Sequence, residues 1–290
     1  MRTSIIIPAF NEEMAIRDVC QRIFDVFKLQ PHEYEMIVVD DGSTDNTSGV
    51  LKDMDVRVIR HPINRGYGAS LKTGIFNAKY EYICITDADG TYPVDMIPTL
   101  LEQCESLDMV VGARRGKHYR GSFLKHPARL IFHFLVEFAT GRHIPDANSG
   151  LRVFKREIVL PFLSELCQGF SFTTTITLSM ISRGYMVKYI PIDYYARKGK
   201  SKVKLLRDSL RTTQIILHAL MMYNPIKALL PLVVVLEMIA ALSLFGFLID
   251  TTSFLVGLCG LMSFFTGILI FVLALIADLI ANTHQNTTPY

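Results

Sequence analysis

Apolar positions along this chain follow two rhythms. Up to about residue 200, short runs of β-branched and aromatic residues alternate with stretches whose apolar positions recur every three or four residues. Ser4–Pro8 (SIIIP) reads as a strand and Glu12–Leu29 as a helix. Tyr34–Asp40 (YEMIVVD) reads as a second strand, closed by the loop cluster Asp41-Gly42-Ser43-Thr44-Asp45. Val56–Ile59 is a third strand, Gly68–Lys79 a helix, Tyr80–Thr86 (YEYICIT) a fourth strand and Met109–Gly112 a fifth. Continuous apolar strands separated by helices predict an α/β fold, a mostly parallel sheet covered on both faces. Such sheets bind ligands outside the carboxyl ends of their strands. Three polar clusters fall there, Pro8-Ala9-Phe10-Asn11-Glu12, Asp40-Asp41-Gly42-Ser43 and Asp87-Ala88-Asp89, and are expected to converge on one cleft.

The second rhythm is nearly unbroken apolarity. Ala228–Leu248 and Phe254–Ala277 flank the polar turn Asp250-Thr251-Thr252-Ser253. About 20 apolar residues cross a hydrocarbon core of about 30 Å, so two transmembrane helices in a tight hairpin are expected, about 228–249 and 254–277. One buried helical hairpin in a soluble core is the alternative. All 30 Lys and Arg residues lie at or before Lys227. That asymmetry predicts an integral protein of the inner or plasma membrane whose hairpin ends and N-terminal domain are cytoplasmic. Glu237, near the middle of the first span, is expected to face protein or water. Phe123–Phe138 and Lys202–Leu220 mix apolar and basic residues, as interfacial helices do, or as helices packed on a domain core do. The expected organisation is a catalytic domain over 1–201 with an interfacial helix at about 123–139. A juxtamembrane amphipathic helix at 202–227, the hairpin at 228–281 and a tail at 282–290 follow.

Composition narrows the class. Half of the 290 residues are hydrophobic, and the net charge of +3 averages a basic front and a tail without Lys or Arg. Ile5-Ile6-Ile7 is too short for a secretory signal and Pro8 stops it. Five cysteines without paired spacing point to free thiols in a reducing compartment. No G-x-G-x-x-G follows the first strand, no Walker lysine loop occurs, and Gly66-Tyr67-Gly68 is too short a match, so a dehydrogenase or P-loop reading is poor. No nucleic-acid partner is expected.

The run Cys84–Pro93 (CITDADGTYP) ends a strand with two carboxylates one residue apart. In an extended segment, residues i and i+2 share a face with Cα atoms about 6.6 Å apart, which would aim Asp87 and Asp89 into one space while Ala88 packs inward. Gly90 lets the chain turn and Pro93 stops the strand. Converging like charges need a cation. Mg²⁺ binds one or two carboxylates and completes its shell with substrate phosphates and water, and Mn²⁺ serves equally. An isolated Asp-x-Asp more often caps a helix or lines a solvated turn; its place beside two other clusters favours the metal.

These motifs, Ile5–Glu13 (IIIPAFNEE), Val38–Asp45 (VVDDGSTD) and Asp87-Ala88-Asp89, resemble those of the inverting GT-A glycosyltransferases of family 2. Gly112-Ala113-Arg114, Pro127-Ala128-Arg129, Asp146–Arg152 (DANSGLR) and Gly199-Lys200-Ser201-Lys202 extend the resemblance to its polyprenyl-phosphate branch, the dolichyl-phosphate mannose synthases and bacterial polyprenyl-phosphate glucosyltransferases. It covers roughly Thr3 to Leu206. It implies that Pro8, Ala9, Phe10, Glu12, Val39 and Asp41 hold a nucleotide sugar together with Asp87 and Ala88. It implies Asp87 and Asp89 as ligands of Mg²⁺ or Mn²⁺, with Asp89, Arg114 and Arg129 catalytic. Arg114, Arg129, Arg197, Lys198, Lys200, Ser201 and Lys202 would meet the acceptor phosphate. Where mannose synthases often carry Gln as a third metal contact, this chain has Thr91.

The implied reaction moves a hexose from a UDP- or GDP-sugar to undecaprenyl or dolichyl phosphate. A phosphate monoester has a second pKa near 6 and needs no general base to attack. His118, His126, His133 and His143 are therefore expected to be interfacial or packing residues. Phe170–Thr177 (FSFTTTIT) is a candidate lining of the sugar pocket, and Asp146 either caps a loop or sits near the acceptor phosphate. Transfer to a sugar hydroxyl is an alternative that would need a base. A non-catalytic membrane scaffold is another, opposed by the intact Asp87, Asp89 and Arg114. Membrane lipids are expected partners, and the hairpin could mediate homo-oligomers.

Overall fold

The computed structural model describes residues 1–29, 32–116, 126–169, 171–196, 214, 217, 220–221, 224–249 and 254–286, with the side chains of 126–131 and 282–286 outside that description. It forms two compact units, Met1–Ile215 and Ile216–Tyr290.

The first unit is built on strands β1 (Arg2–Ala9), β2 (Glu33–Asp40), β3 (Arg57–Arg60), β4 (Tyr82–Ile85), β5 (Met109–Arg115), β6 (Arg152–Lys155) and β7 (Val187–Asp193). They form a sheet of order β3-β2-β1-β4-β6-β5-β7. All neighbours run parallel except β6, which is antiparallel to β4 and β5. Alternation along the strands feeds two cores. Ile5, Ile7 and Val38 pack with Ile16, Val19 and Ile23 of α1 (Ile16–Phe27) and with Leu100 and Leu101 of α3 (Ile97–Cys104). Their neighbours Ile6 and Ile37 face the other side, against Leu71 and Ile75 of α2 (Tyr67–Asn77) and Phe172 and Ile176 of α5 (Phe172–Ser182). Successive strand residues pointing to opposite faces produce this division.

The five expected strands are present. Helix α1 starts at Ile16 instead of Glu12 because Asn11 adopts φ 52° and residues 12–15 form a turn in which Ala15 and Ile16 N–H both donate to the Glu12 carbonyl. β6 and β7 were not anticipated. β6 is four residues with a cation at each end, and β7 contains Pro191, which suits an edge strand that leaves that side unpaired. Helix α4 (His126–Thr140) covers the expected interfacial segment. Val136 is buried, whereas Phe134 is 64% exposed and stacks on Phe138 at 5.9 Å. The segment 202–213 lies outside the described residues.

The second unit is a hairpin of α6 (Pro225–Ile249) and α7 (Phe254–Asn286). Pro225 takes the first helical position, and Asn224 Oδ1 accepts the Lys227 N–H at 3.1 Å, a side-chain N-cap. Pro225–Ile249 and Phe254–Ala281 both have mean hydropathy 2.6 and are long enough to cross a membrane. A soluble core hairpin would bury its side chains; here Leu242, Leu248 and Leu255 are each more than 70% exposed. The helices meet along a seam of small residues, with Ala240 on α6 facing Gly260 on α7. At its centre Glu237 turns inward as expected: a Cβ on Gly267 would come within 2.3 Å of Glu237 Oε1.

Candidate active site

The sheet order reverses at β1, which has β2 on one side and β4 on the other. A cavity of about 290 Å³ opens there, at the carboxyl ends of the strands. β1 and its following loop contribute Pro8, Ala9, Phe10 and Glu12, and the loop after β2 contributes Asp41. Asp87, Ala88 and Asp89 line it from beyond β4. The three polar clusters thus converge. The first two are also cross-linked. Asn11 N–H donates to Ser43 Oγ (2.9 Å) while Thr44 N–H donates to Asn11 Oδ1 (2.8 Å). Glu12 N–H donates to Thr47 Oγ1 (2.9 Å), and Asn46 N–H to Glu13 Oε2 (2.9 Å). Reciprocal bonds of this kind fix loops that carry no regular structure.

The loop before α2 supplies Asn64 and Gly66 and the first turn of α2 supplies Tyr67 and Ser70, none of which the sequence singled out as site residues. Their place depends on Asp41, whose carboxylate accepts the Arg65 (2.9 Å) and Gly66 (2.8 Å) N–H groups and pairs with His61 Nδ1 at 2.7 Å. Asp41 therefore shapes the cavity wall as well as lining it. Val39 departs from expectation. Its side chain is fully buried in the core cluster that contains Leu71, because it continues the inward alternation of Ile37, and it is not among the residues lining the cavity.

Asp87 and Asp89 do share the cavity, but not through extended geometry. β4 ends at Ile85, and the pair occupies a turn completed by Gly90 at φ 74°. Ala88 packs inward as expected, 3% exposed. Each carboxylate is oriented by a hydroxyl: Tyr67 Oη–H donates to Asp87 Oδ1 (2.9 Å), and Thr91 donates to Asp89 Oδ1 through both Oγ1–H (2.6 Å) and N–H (3.1 Å). Burial first, and the Asp87 charge second, push the Tyr67 phenol well above its ordinary pKa, so it stays a donor. The Thr91 hydroxyl serves Asp89, which argues against Thr91 as a metal ligand. Two carboxylates and no sulfur or imidazole make a hard oxygen set that fits Mg²⁺ or Mn²⁺. Among the described residues no group of three or more His, Cys, Asp or Glu is placed to enclose a metal.

Gly150 closes the back of this site. A Cβ there would sit 2.7 Å from Asp87 Oδ1, and the Gly150 N–H donates to Tyr92 Oη at 2.6 Å. Asp146, four residues earlier, holds Arg114 in a fork: Nε–H donates to Oδ2 (2.7 Å) and Nη2–H to Oδ1 (2.9 Å). The Arg114 guanidinium lies 5.4 Å from the Tyr194 ring, and Tyr194 meets Tyr92 edge-on at 5.3 Å. One chain of contacts therefore joins Arg114 to Asp87. Asp146 is an arginine-orienting residue in this arrangement. The threonines of Phe170–Thr177 are not in the cavity wall. Thr174 donates to Asn148 and Thr177 accepts from Arg152, so their buried hydroxyls brace the Asp146–Arg152 segment. The Arg129 side chain, Phe170, Arg197, Lys198, Lys200, Ser201 and Lys202 lie outside the described residues, as do the side chains of His118 and His126. His143 Nδ1 pairs with Glu137 Oε1 at 2.6 Å.

A mixed seven-stranded α/β sheet with paired carboxylates at its switch point defines the GT-A class of fold. The chain belongs to glycosyl transferase family 2, whose model matches residues 4–160, more than half of the chain. It is 31% identical over 213 residues to undecaprenyl-phosphate 4-deoxy-4-formamido-L-arabinose transferase of Yersinia pestis, covering 71% of this chain and 64% of that protein. The protein of the same description from Proteus mirabilis is 32% identical over 164 residues, covering 54% of this chain and 50% of the relative. The matches thus span between half and two thirds of these relatives' lengths. Among solved structures, glucosyl-3-phosphoglycerate synthase of Mycobacterium tuberculosis with Mn²⁺, UDP and glucosyl-3-phosphoglycerate shares the fold, with TM-score 0.62 and 19% identity over 75% of this chain and 79% of that one. Mannosyl-3-phosphoglycerate synthase of Rubrobacter xylanophilus does so with TM-score 0.58 and 17% identity over 76% and 72%.

Proposed function

We propose that this protein transfers a hexose from a nucleoside-diphosphate sugar, of the UDP type, to the phosphate of undecaprenyl phosphate at the cytoplasmic membrane face. The observation that carries the reading is the composition of the cavity at the switch point, which combines a partly apolar wall from Pro8 to Phe10 with Asp87 and Asp89 at its end. Relatives that act on undecaprenyl phosphate support the acceptor class, and the hairpin supports a lipid-linked one. A structural relative that carries Mn²⁺ with UDP supports the metal and the donor.

Asp87, set by Tyr67, and Asp89, set by Thr91, would hold the divalent ion. When bound, that ion supplies Lewis-acid neutralisation of charge growing on the departing diphosphate. The acceptor phosphate oxygen attacks the anomeric carbon from the face opposite the diphosphate. A C–O bond to the acceptor forms, the C–O bond to the diphosphate breaks, and its electron pair leaves on the nucleoside diphosphate, with inversion. Arg114, preset by Asp146, faces the added negative charge of the two anionic substrates. Arg129 and the basic residues Arg197, Lys198, Lys200 and Lys202, with Ser201, would complete the acceptor side.

The test is purified protein with undecaprenyl phosphate and a panel of UDP- and GDP-sugars, including the donor of the formamido-arabinose relatives, read by mass spectrometry of the lipid. A monophosphate-linked glycolipid and released UDP, formed with Mg²⁺ or Mn²⁺ and lost in EDTA, is the expected result. Transfer to a hydroxyl acceptor instead, or turnover undiminished in EDTA, overturns the reading.

A further inference from the structure

Arg152 lies on β6 with no solvent exposure. Removing a guanidinium from water is costly, several kcal/mol for an ion in a protein interior, and a carboxylate partner is the usual compensation. Among the described residues no carboxylate forms an ion pair with Arg152; the Asp146 charge acts on it only from a distance, while its oxygens are bonded to Arg114. Nε–H donates to the Ser149 carbonyl (3.1 Å), Nη1 to the Thr173 carbonyl and Thr177 Oγ1 (both 3.0 Å), and Nη2 to the Ser149 (2.5 Å) and Ala147 (3.3 Å) carbonyls. That accounts for all five N–H donors, every one spent on a neutral oxygen.

What these bonds immobilise is a turn. Its carbonyls at 147 and 149 are tied to Arg152, and Arg152 is in turn tied to α5 through Thr173 and Thr177. At one end of the turn, Asp146 grips Arg114. At the other, Gly150 lies directly against the Asp87 carboxylate. A lysine has three donors radiating from one atom and cannot span the turn and the helix together. The five-donor fork is what the place requires.

We infer that Arg152 is a positioning residue: by holding the Ala147–Gly150 turn against Asp87 it sets the geometry in which the metal and diphosphate are bound. The inference rests on the reading of the site given above. It differs from a purely structural role in one respect. Loss of the turn's position impairs the metal-dependent part of nucleotide binding, whereas general loosening of the fold weakens metal-free binding equally.

The experiment is calorimetric titration of the full-length protein in detergent with UDP, once in EDTA and once with Mn²⁺, for wild type and Arg152→Lys. Wild type is expected to bind UDP more tightly with Mn²⁺. Arg152→Lys keeps the charge but loses most of the bonds, so its metal-free affinity stays within about twofold while the Mn²⁺ increment falls at least tenfold. Should that variant fail to fold, Thr177→Val removes one acceptor from α5, and the increment falls about threefold with metal-free affinity unchanged. An increment retained in the variant, or an equal fall with and without metal, overturns the inference alone. A wild type without any Mn²⁺ increment overturns the reading of the site and this inference with it.

Discussion

Replacing Gly150 with alanine adds one methyl group to the wall behind Asp87. Its Cβ would lie 2.7 Å from Asp87 Oδ1 and 2.9 Å from both Cγ and Oδ2. Carbon–oxygen contacts settle near 3.4 Å, so relief requires a displacement of about 0.7 Å. The backbone is poorly placed to give way, because Gly150 N–H is bonded to Tyr92 and the preceding carbonyl to Arg152. Gly150 has no positive φ, so alanine itself fits the backbone. The carboxylate moves instead, stretching its 2.9 Å bond from Tyr67. Mg²⁺ accepts oxygen ligands near 2.0–2.1 Å, so a shift of this size removes the ligand or distorts the shell. Misplacement on the 1 Å scale costs about 100-fold in rate, about 2.7 kcal/mol of barrier. Overpacking costs only about 1–3 kcal/mol of stability, leaving the protein folded. Initial transfer rates titrated against Mn²⁺, beside thermal unfolding, measure both. Wild-type kcat/KM in Gly150→Ala, or a rate loss that simply tracks unfolded protein, refutes the reasoning.

Other consequences are separable. Thr91→Val keeps the shape but deletes the 2.6 Å bond to Asp89; a hydrogen bond to a charged group is worth about 1.5–3 kcal/mol, so kcat/KM should fall roughly 10- to 100-fold, and an unchanged metal dependence would contradict the Thr91–Asp89 link. Asp146→Asn breaks the Arg114 fork, a pair with side chains 16% and 2% exposed, and should cost about 3 kcal/mol of stability while raising KM for the lipid phosphate more than for the nucleotide sugar; equal changes in both constants count against it. Burial pushes the Cys20 and Cys104 thiols up to about 12 and Cys84 higher still. The thiolate is the reactive form, so iodoacetamide at pH 8 should spare all three in the folded protein and modify Cys167 first within the catalytic unit, as peptide mass mapping would reveal; rapid labelling of Cys84 contradicts this burial. Glu237→Leu relieves a polar group held at the hairpin seam against Gly267, so it should leave transfer intact; a large loss of kcat would give Glu237 a role in the reaction that packing does not explain.

Strands β1, β2 and β4 were legible because buried parallel strands are written as apolar runs, and the polar residues that end them had to meet at one edge. β6 and β7 were hidden for the converse reason: Arg152, Lys155, Lys188 and Pro191 break the pattern, and an arginine on a strand reads as a surface residue until the acceptors of its five N–H groups are in place. Gly66-Tyr67-Gly68 was discounted as a nucleotide fingerprint, yet the glycines matter for local geometry. Gly66 takes φ 103°, and a Cβ on Gly68 would come within 2.2 Å of the Cys167 carbonyl. Such close approaches depend on segments about a hundred residues apart and leave no periodic trace. The Arg114–Asp146 fork is similar, since each residue is visible in a motif but their pairing is a property of the sheet. Val39 shows a different limit: the resemblance puts it at the site, while strand alternation buries its side chain in the core and leaves only its backbone for such a contact.

A divalent ion held between Asp87 and Asp89 beneath the donor diphosphate is the central requirement of the proposed reaction. Crystals of the protein grown with UDP and MnCl₂, with data collected at the manganese absorption edge, test it most directly. One anomalous peak is expected within about 2.0–2.3 Å of an oxygen from each carboxylate and of the diphosphate. Nucleotide bound in the cavity with no peak there, or with Asp87 and Asp89 ligating nothing in common, would contradict it.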